Sequence, residues 1–385
     1  MNRGKKFGRF PAIHSPPIFG DVRGSRKPLL RIAMPGSEPP QPNSTPSEGL
    51  FSGSRIALGC GALVLLAILW LLVSAWSDYS VAKETFEREA AALGALRAGP
   101  FLVEFKEVPF TDRFSALYLP DWKRRVHSIA IDRVSDLPLG EGDTRHNAFR
   151  AIGSLQALEY LSLDRSDFGD DDAEPIAQAS RLATIMARHC RLGDRGVAFL
   201  ARSPALRTLH LAGNSVSPKV GASLRQATAL RHLNLSDTAI DDTTLADLAQ
   251  LRDLSILDLS RTKVTGTGLG VFAEHRALRM LLLAGAPIGD SAARTIAALE
   301  PLKSLTLSRT QMTPRSLTTI LLLPRLEYLA IAGFDLTDSD LSLFAGQPAD
   351  RKLTVAYSRS LRGEPTREAI MEFRKVFPQV VFEEE

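Results

Sequence analysis

Aliphatic residues recur from Leu158 onward at a fixed spacing of 24 residues. Each repeat carries an anchor leucine, an aliphatic residue three positions later and, with conservative changes, a third two positions after that. The anchors are Leu158, Leu182, Leu206, Leu230, Leu254, Leu278, Leu302 and Leu326. Alternation around the middle residue is typical of a short β-strand that points one side inward. The pattern therefore predicts eight stacked strands, one in each repeat.

The second half of each repeat predicts a turn and a short helix. Aspartate recurs where each helix should begin, and we expect these carboxylates to cap their own helices by accepting backbone N–H groups. They are Asp170, Asp194, Asp242, Asp290 and Asp338. One apolar residue near the end of each predicted helix would close the core. No repeat buries its apolar face alone, so the repeats must stack.

The same phase extends beyond the eight repeats. Leu353 and Val355 predict a ninth strand, and residues 126–131 predict a first strand that a long loop over 134–147 separates from the repeats. We assign 126–356 to the solenoid and 357–385 to a capping helix and strand.

The region before the repeats has three parts. Residues 1–55 are rich in proline and basic residues and predict a disordered tail. Residues 56–76 are 21 uncharged residues, long enough for a transmembrane helix that would contact the lipid bilayer. Residues 77–125 predict a juxtamembrane helix over 81–97, a short strand over 101–105 and an N-terminal cap.

Charge is concentrated in the tail. Residues 1–55 carry a net charge of +6, which leaves −2 for the rest of the chain. This distribution argues against a nucleic-acid-binding domain. The basic tail favours a cytoplasmic N-terminus, so we expect a single-pass protein of the bacterial inner membrane with an extracytoplasmic repeat domain. The inverted topology, a cytoplasm-facing repeat scaffold, stays open.

The segment Leu230–Asp242 resembles the bacterial leucine-rich repeats of the L-x-x-L-x-L-x-x-T-x-I-T-D type. The order of parts, and the ending Arg367–Phe382, resemble a bacterial group of single-pass membrane-anchored leucine-rich-repeat proteins. The resemblance implies an α/β solenoid with a curved parallel sheet on its concave face and short helices on its convex face. It also implies a binding role, and that the inward polar position, such as Cys190, bonds the adjoining turn. Ala187 and Phe334 depart from the pattern, so local irregularity is expected there.

Sequence motifs of enzymes are lacking: there is no phosphate-binding loop, nucleophile elbow or H-E-x-x-H pair. The three histidines on the predicted sheet, His189, His210 and His232, would be too far apart to share a zinc ion. The sequence therefore predicts no enzyme, no metal and no cofactor.

Outward positions on the predicted strands are the candidate partner-binding residues, because stacking turns them into a broad surface. They are Arg165, His189, His210, His232, Asn234, Asp237, Asp258, Arg261, Leu282 and Arg309. One interpretation is a merely solvated face. The other is a polar, partly basic surface for an acidic protein or a glycan, with Leu282 as an apolar anchor.

We therefore expect a membrane-anchored protein that captures a protein partner non-covalently on the concave sheet. The alternative is a structural envelope protein whose repeats self-associate. Small residues at Gly53, Ala57 and Gly61 could also support weak association of two transmembrane helices.

Overall fold

The computed structural model describes residues 80–81, 83–84, 87–92, 94, 96, 101–107, 124–131, 143–357 and 365–384. The predicted tail and transmembrane helix, residues 1–55 and 56–76, lie outside these ranges. Within them, no helix combines the length and apolar character needed to cross a bilayer.

The described strands form one sheet whose spatial order follows the order of the chain. Strand β1 pairs antiparallel with β2, and every later pair is parallel. The strands are β1 Phe101–Glu107, β2 Arg124–Ile131, β3 Tyr160–Ser162, β4 Thr184–Met186, β5 Thr208–His210, β6 His232–Asn234, β7 Ile256–Asp258, β8 Met280–Leu282, β9 Ser304–Thr306, β10 Tyr328–Ala330, β11 Leu353–Tyr357 and β12 Val380–Glu384.

Helical segments follow the strands within the repeats. The α-helices are α1 Asp143–Gly153, α2 Asp170–Ile176, α3 Asp194–Leu200, α4 Gly221–Leu224, α5 Asp242–Leu248, α6 Ala293–Ala297, α7 Pro314–Ile320 and α8 Arg367–Val376. Segments of 3₁₀-helix span Pro218–Val220, Thr267–Phe272, Asp290–Ala292 and Asp338–Phe344. The predicted helix of each repeat is thus present, but after β7 and β10 it is a 3₁₀-helix rather than an α-helix.

The repeats stack through their aliphatic side chains. All eight anchor leucines are at most 1% exposed, and from β3 to β9 each strand residue pairs with the residue 24 positions later. The chain folds as a leucine-rich-repeat solenoid. The irregularity expected at Ala187 is wrong, because its side chain is buried and β4 keeps the common length and register. At the repeat of Phe334 the irregularity is confirmed, because β10 pairs with β9 at the common spacing but with β11 at a spacing of 26 residues, as in Leu329 with Val355.

The predicted loop over 134–147 is wrong at its C-terminal end, because α1 begins at Asp143. Phe149 and Ile152 are fully buried, and the ring of Phe149 lies 5.1 Å from that of Phe168. Helix α1 therefore completes a first repeat that starts at β2. Its apolar residues were missed because the 24-residue phase begins only at Leu158.

Both ends of the described solenoid are covered. At the N-terminal end, the described residues between 80 and 96 are helical, as predicted, and Ala92 and Leu96 join the buried core. At the C-terminal end, Phe382 of β12 contacts Phe344 and Tyr357 in edge-on ring pairs. These contacts bury the apolar surface that the last repeat would otherwise leave exposed.

Candidate interaction surface

The inward position after each strand is polar in six of the eight repeats, and there its side chain bonds the backbone. Ser166 Oγ donates to the carbonyl of Leu163 at 2.7 Å, and Asn214 Nδ2 donates to the carbonyl of Ala187 at 2.6 Å. Cys190 Sγ lies 3.1 Å from the carbonyl of Leu163, and burial raises the pKa of its thiol. The turn-bonding role expected for this position is confirmed, and these residues are not available to a partner.

The aspartates that begin the helices bond the next repeat rather than capping their own helix. Asp242 accepts hydrogen bonds from Thr265 N, Thr265 Oγ1, Gly266 N and Gly268 N at 2.7–3.2 Å. Burial disfavours its ionised form, but these hydrogen bonds outweigh that effect and lower the pKa of the carboxyl. Asp290 likewise accepts from Thr313 N and Oγ1. The aspartates do accept backbone N–H groups, but the donors belong to the next repeat. The prediction that each aspartate caps its own helix is therefore wrong.

These inter-repeat hydrogen bonds recur along the solenoid. The carboxylates and the residues that donate to them are Asp170 with Gly193, Asp194 with Ser217, Asp242 with Thr265, Asp290 with Thr313 and Asp338 with Thr366. We call these five aspartates the staple row. Where proline or glycine replaces the aspartate, at Pro218, Gly266 and Pro314, the repeat has no such carboxylate.

The open sheet face consists of the strand side chains on either side of each buried central residue. In β3 to β9 the central residue is buried and both neighbours are partly exposed. Four predicted site residues, His210, Asn234, Asp258 and Leu282, occupy one row on consecutive strands. His232 lies in the neighbouring row.

Asn234 and Asp258 form a direct hydrogen bond on this face. Asn234 Nδ2 donates to Asp258 Oδ2 at 2.9 Å, and Ser260 N donates to Asp258 Oδ1 at 2.9 Å. Burial raises the pKa of the Asp258 carboxyl despite these hydrogen bonds. Asp258 is thus part of the sheet's own polar network as well as a surface group.

His210 lies beside a partly buried ion pair that the sequence pattern did not predict. Arg188 Nη2 is 2.6 Å from Asp164 Oδ2, and the Asp164 side chain is only 4% exposed. Burial, and then the charge of Arg188, lower the pKa of His210 to about 4. His210 is a neutral side chain at pH 7.

The turn after each strand places one residue in the left-handed backbone region. This residue recurs every 24 positions, and we call the row the C-terminal rim. Its members, from β3 to β10, are Arg165, His189, Gly213, Asp237, Arg261, Gly285, Arg309 and Gly333. Five predicted site residues therefore share one turn position, with φ between 53° and 60°. All five are exposed.

Left-handed backbone disfavours arginine, whereas aspartate and histidine tolerate it better. Arg165, Arg261 and Arg309 adopt it nonetheless. Arg261 Nη2 lies 3.3 Å from Asp237 Oδ1. A Cβ added to Gly285, the next residue on the rim, would lie 3.0 Å from Arg261 Cγ. The Arg261 side chain therefore lies beside the rim positions of both adjacent repeats, Asp237 and Gly285.

A second row of exposed and partly exposed residues, absent from the predicted site, precedes the strands. We call it the N-terminal rim, and its members are Glu159, Ala183, Arg207, Arg231, Ser255, Arg279, Lys303 and Glu327. Backbone hydrogen bonds of 2.8 Å join Arg231 N to Arg207 O and Lys303 N to Arg279 O, so consecutive members are neighbours. The sequence does carry a signal for this row. Arg207 and Arg231 are 24 residues apart, as are Arg279 and Lys303, and each lies one position before a strand.

The described residues contain no group of three or more histidine, cysteine, aspartate or glutamate side chains arranged to hold a metal ion. His189 lies on the C-terminal rim, whereas His210 and His232 lie on the open sheet face.

No protein-family profile matches the chain, and no curated protein matches it. Solved structures do match, among them the crystal structure of an internalin, inlF, from Listeria monocytogenes str. 4b F2365. It is 18% identical, covers 60% of this chain and 69% of the internalin chain, and has a TM-score of 0.45.

Proposed function

We propose that the protein binds another protein non-covalently on the open sheet face and its two rims, and that it performs no catalysis. The observation that carries the proposal is the composition of the C-terminal rim. Eight copies of one turn lie in register, and three of them use glycine. The fold therefore accepts glycine there, yet three copies hold arginine in a disfavoured conformation. Residues kept in disfavoured backbone conformations concentrate at functional sites.

The size of the face supports a macromolecular partner. Eight strands at about 4.8 Å span roughly 34 Å, which fits a protein surface better than a small molecule. We further propose that residues 56–76 anchor the protein in a bacterial inner membrane, with the N-terminus in the cytoplasm and the solenoid outside. The support is the apolar length of that segment and the basic tail before it.

Site-specific photo-crosslinking tests the proposed surface. A photoreactive residue at Thr208 or Ser304, on the open sheet face, should give one discrete heavier adduct in cells. The same residue at Leu322, which is 72% exposed on the helix side, should not. Equal adducts from both sides, or none from the sheet face, would overturn the proposal. An adduct of twice the chain's own mass would instead indicate self-association.

Protease treatment of cells with a permeabilised outer membrane tests the topology separately. External digestion should remove the repeat domain and leave the tail protected. Full protection of the repeats would reverse the proposed orientation without affecting the binding surface.

A further inference from the structure

Cations outnumber anions on both sides of the open sheet face between β5 and β9. The N-terminal rim contributes Arg207, Arg231, Arg279 and Lys303, and the C-terminal rim contributes Arg261 and Arg309. Asp237 and Asp258 are the acidic residues of this stretch of face and rims. The stretch is therefore net positive, although residues 56–385 as a whole carry a net charge of −2.

Most of these six cations form no ion pair within the described part of the chain. Arg207, Arg231 and Arg309 form no ion pair with any residue that the structure describes. Arg207 and Arg231 are exposed neighbours on adjacent repeats, joined by a backbone hydrogen bond. Like charges so close together repel each other, and an anion between them would relieve that repulsion.

The floor between the rims is apolar near its middle. Ile256 of β7 pairs with Met280 of β8, and Leu282 of β8 pairs with Asp258. Ile256, Met280 and Leu282 all lie on the partly exposed side of the sheet. We call these three residues the apolar patch. Burying it against a partner is favourable by about 25 cal/mol per Å², and polyanions without apolar groups cannot use that gain.

Building on the proposed function, we infer that the partner segment is an acidic polypeptide with an apolar or aromatic side chain. It lies across β5–β9, with carboxylates at the two cationic rims and the apolar side chain on the apolar patch. Four strand spacings give a length of about 19 Å, and the two rims, six positions apart in each repeat, can be separated by at most about 20 Å. That width accommodates a helix of about 10–12 Å diameter whose acidic side chains reach both rims.

The arrangement fits nucleic acids and sulfated glycans less well. Their charges follow one continuous backbone, whereas the cations here form two separate rows with the apolar patch between them. The partly exposed carboxylate of Asp258 on the floor would also oppose a polyanion laid directly along the middle of the sheet.

Binding of three labelled probes to the purified full-length chain tests the inference. The probes are a random copolymer of glutamate and tyrosine, poly-glutamate and heparin, measured by fluorescence anisotropy at low salt. We expect the copolymer to bind about tenfold more tightly than poly-glutamate, the ratio that 1.4 kcal/mol produces. Equal affinity for the two polypeptides, or tighter binding of heparin than of the copolymer, would overturn the inference.

Two pairs of variants separate the contribution of charge to copolymer binding from that of the apolar patch. Arg231→Glu should weaken copolymer binding about tenfold through lost charge complementarity, whereas Arg294→Glu, an exposed charge reversal on α6, should not. Leu282→Ser should remove the preference for the copolymer over poly-glutamate, whereas Leu322→Ser on the helix side should keep it. Circular dichroism checks that each variant is folded. No effect of either test variant in folded protein would contradict the assignment.

Failure of this inference is distinguishable from failure of the proposed function. If Thr208 and Ser304 give a discrete adduct but the copolymer shows no preference, the protein binds a partner of different chemistry. If neither experiment gives a signal on the sheet face, both proposals fail.

Discussion

The staple row and the C-terminal rim are both periodic rows of polar residues, but they use charge differently. Each staple carboxylate accepts hydrogen bonds from the following repeat, as Asp242 does from Thr265. On the rim, Arg261 donates to Asp237 of the preceding repeat, whereas Arg309 is exposed and forms no ion pair with any described residue. Periodicity alone therefore does not distinguish charges that hold the repeats together from charges that are free to bind a partner, whereas their hydrogen-bond partners do.

A carboxylate buried without hydrogen-bond donors should destabilise the fold more than any change to the staple row or the rim. Leu257→Asp places a charge at a position that is 0% exposed, next to Asp258, whose carboxylate has donors. We expect a loss of about 4 kcal/mol or more in unfolding free energy, measured by thermal or urea unfolding. Ser304→Asp, on the open face of β9, should cost under about 1 kcal/mol. A stable Leu257→Asp protein would contradict the assigned core.

His210 shows how burial controls a polar residue of the sheet face. Because its pKa falls from 6.5 to about 4 on folding, the neutral form is favoured in the folded state. The resulting stability is complete above pH 6.5 and is lost as pH falls toward 4. The unfolding free energy should drop by up to about 3 kcal/mol over that range. His210→Gln should flatten that part of the pH profile, and an unchanged slope would contradict the burial of this ring.

Removing a staple should cost more than removing an exposed charge. Asp242→Ala leaves the N–H groups of Thr265, Gly266 and Gly268 without their acceptor, so we expect a loss of about 1–3 kcal/mol. Asp237→Ala, on the C-terminal rim, should cost under about 1 kcal/mol. Chemical unfolding of the two variants measures the contrast, and equal losses would remove the distinction between the rows.

The same staple predicts acid sensitivity. The pKa values of Asp242 and Asp290 are lowered in the folded protein, so their contribution is complete above the unfolded pKa of about 3.9. It is lost as pH falls below that value, through the folded pKa of each carboxyl. The double variant Asp242→Asn and Asp290→Asn should therefore lose less stability than the parent between pH 4 and pH 2. An identical acid profile would contradict this.

The smallest effect is expected at the rim. Arg309→Gly relieves about 1–2 kcal/mol of left-handed backbone strain but adds chain entropy to the unfolded state, so we expect a net gain of about 0.5 kcal/mol. Adduct formation from Ser304 should fall in the same variant. A clear loss of stability would mean that the Arg309 side chain supports the fold and is not held in a strained conformation for binding.

The strands and core were predictable from the sequence because solenoid contacts are nearly local. Each strand pairs with the segment 24 residues away, so a repeated Leu230 and Leu233 pattern defines register and burial together. The membership of the C-terminal rim was also within reach, since Arg165 and Arg309 share the repeat phase. The candidate residues were thus placed on one side of the solenoid, although their left-handed backbone was not foreseen.

The spacing of aliphatic residues along the sequence is enough to predict stacked 24-residue repeats, because evenly spaced aliphatic residues can be buried together only by stacking. The tertiary structure decided which donors each staple carboxylate meets, since Asp242 and Thr265 are 23 positions apart and touch only after two repeats pack. It also decided the low pKa of His210 and placed the cations Arg207 and Arg231 side by side. Burial and neighbouring charge are properties of the assembled repeats, not of any single one.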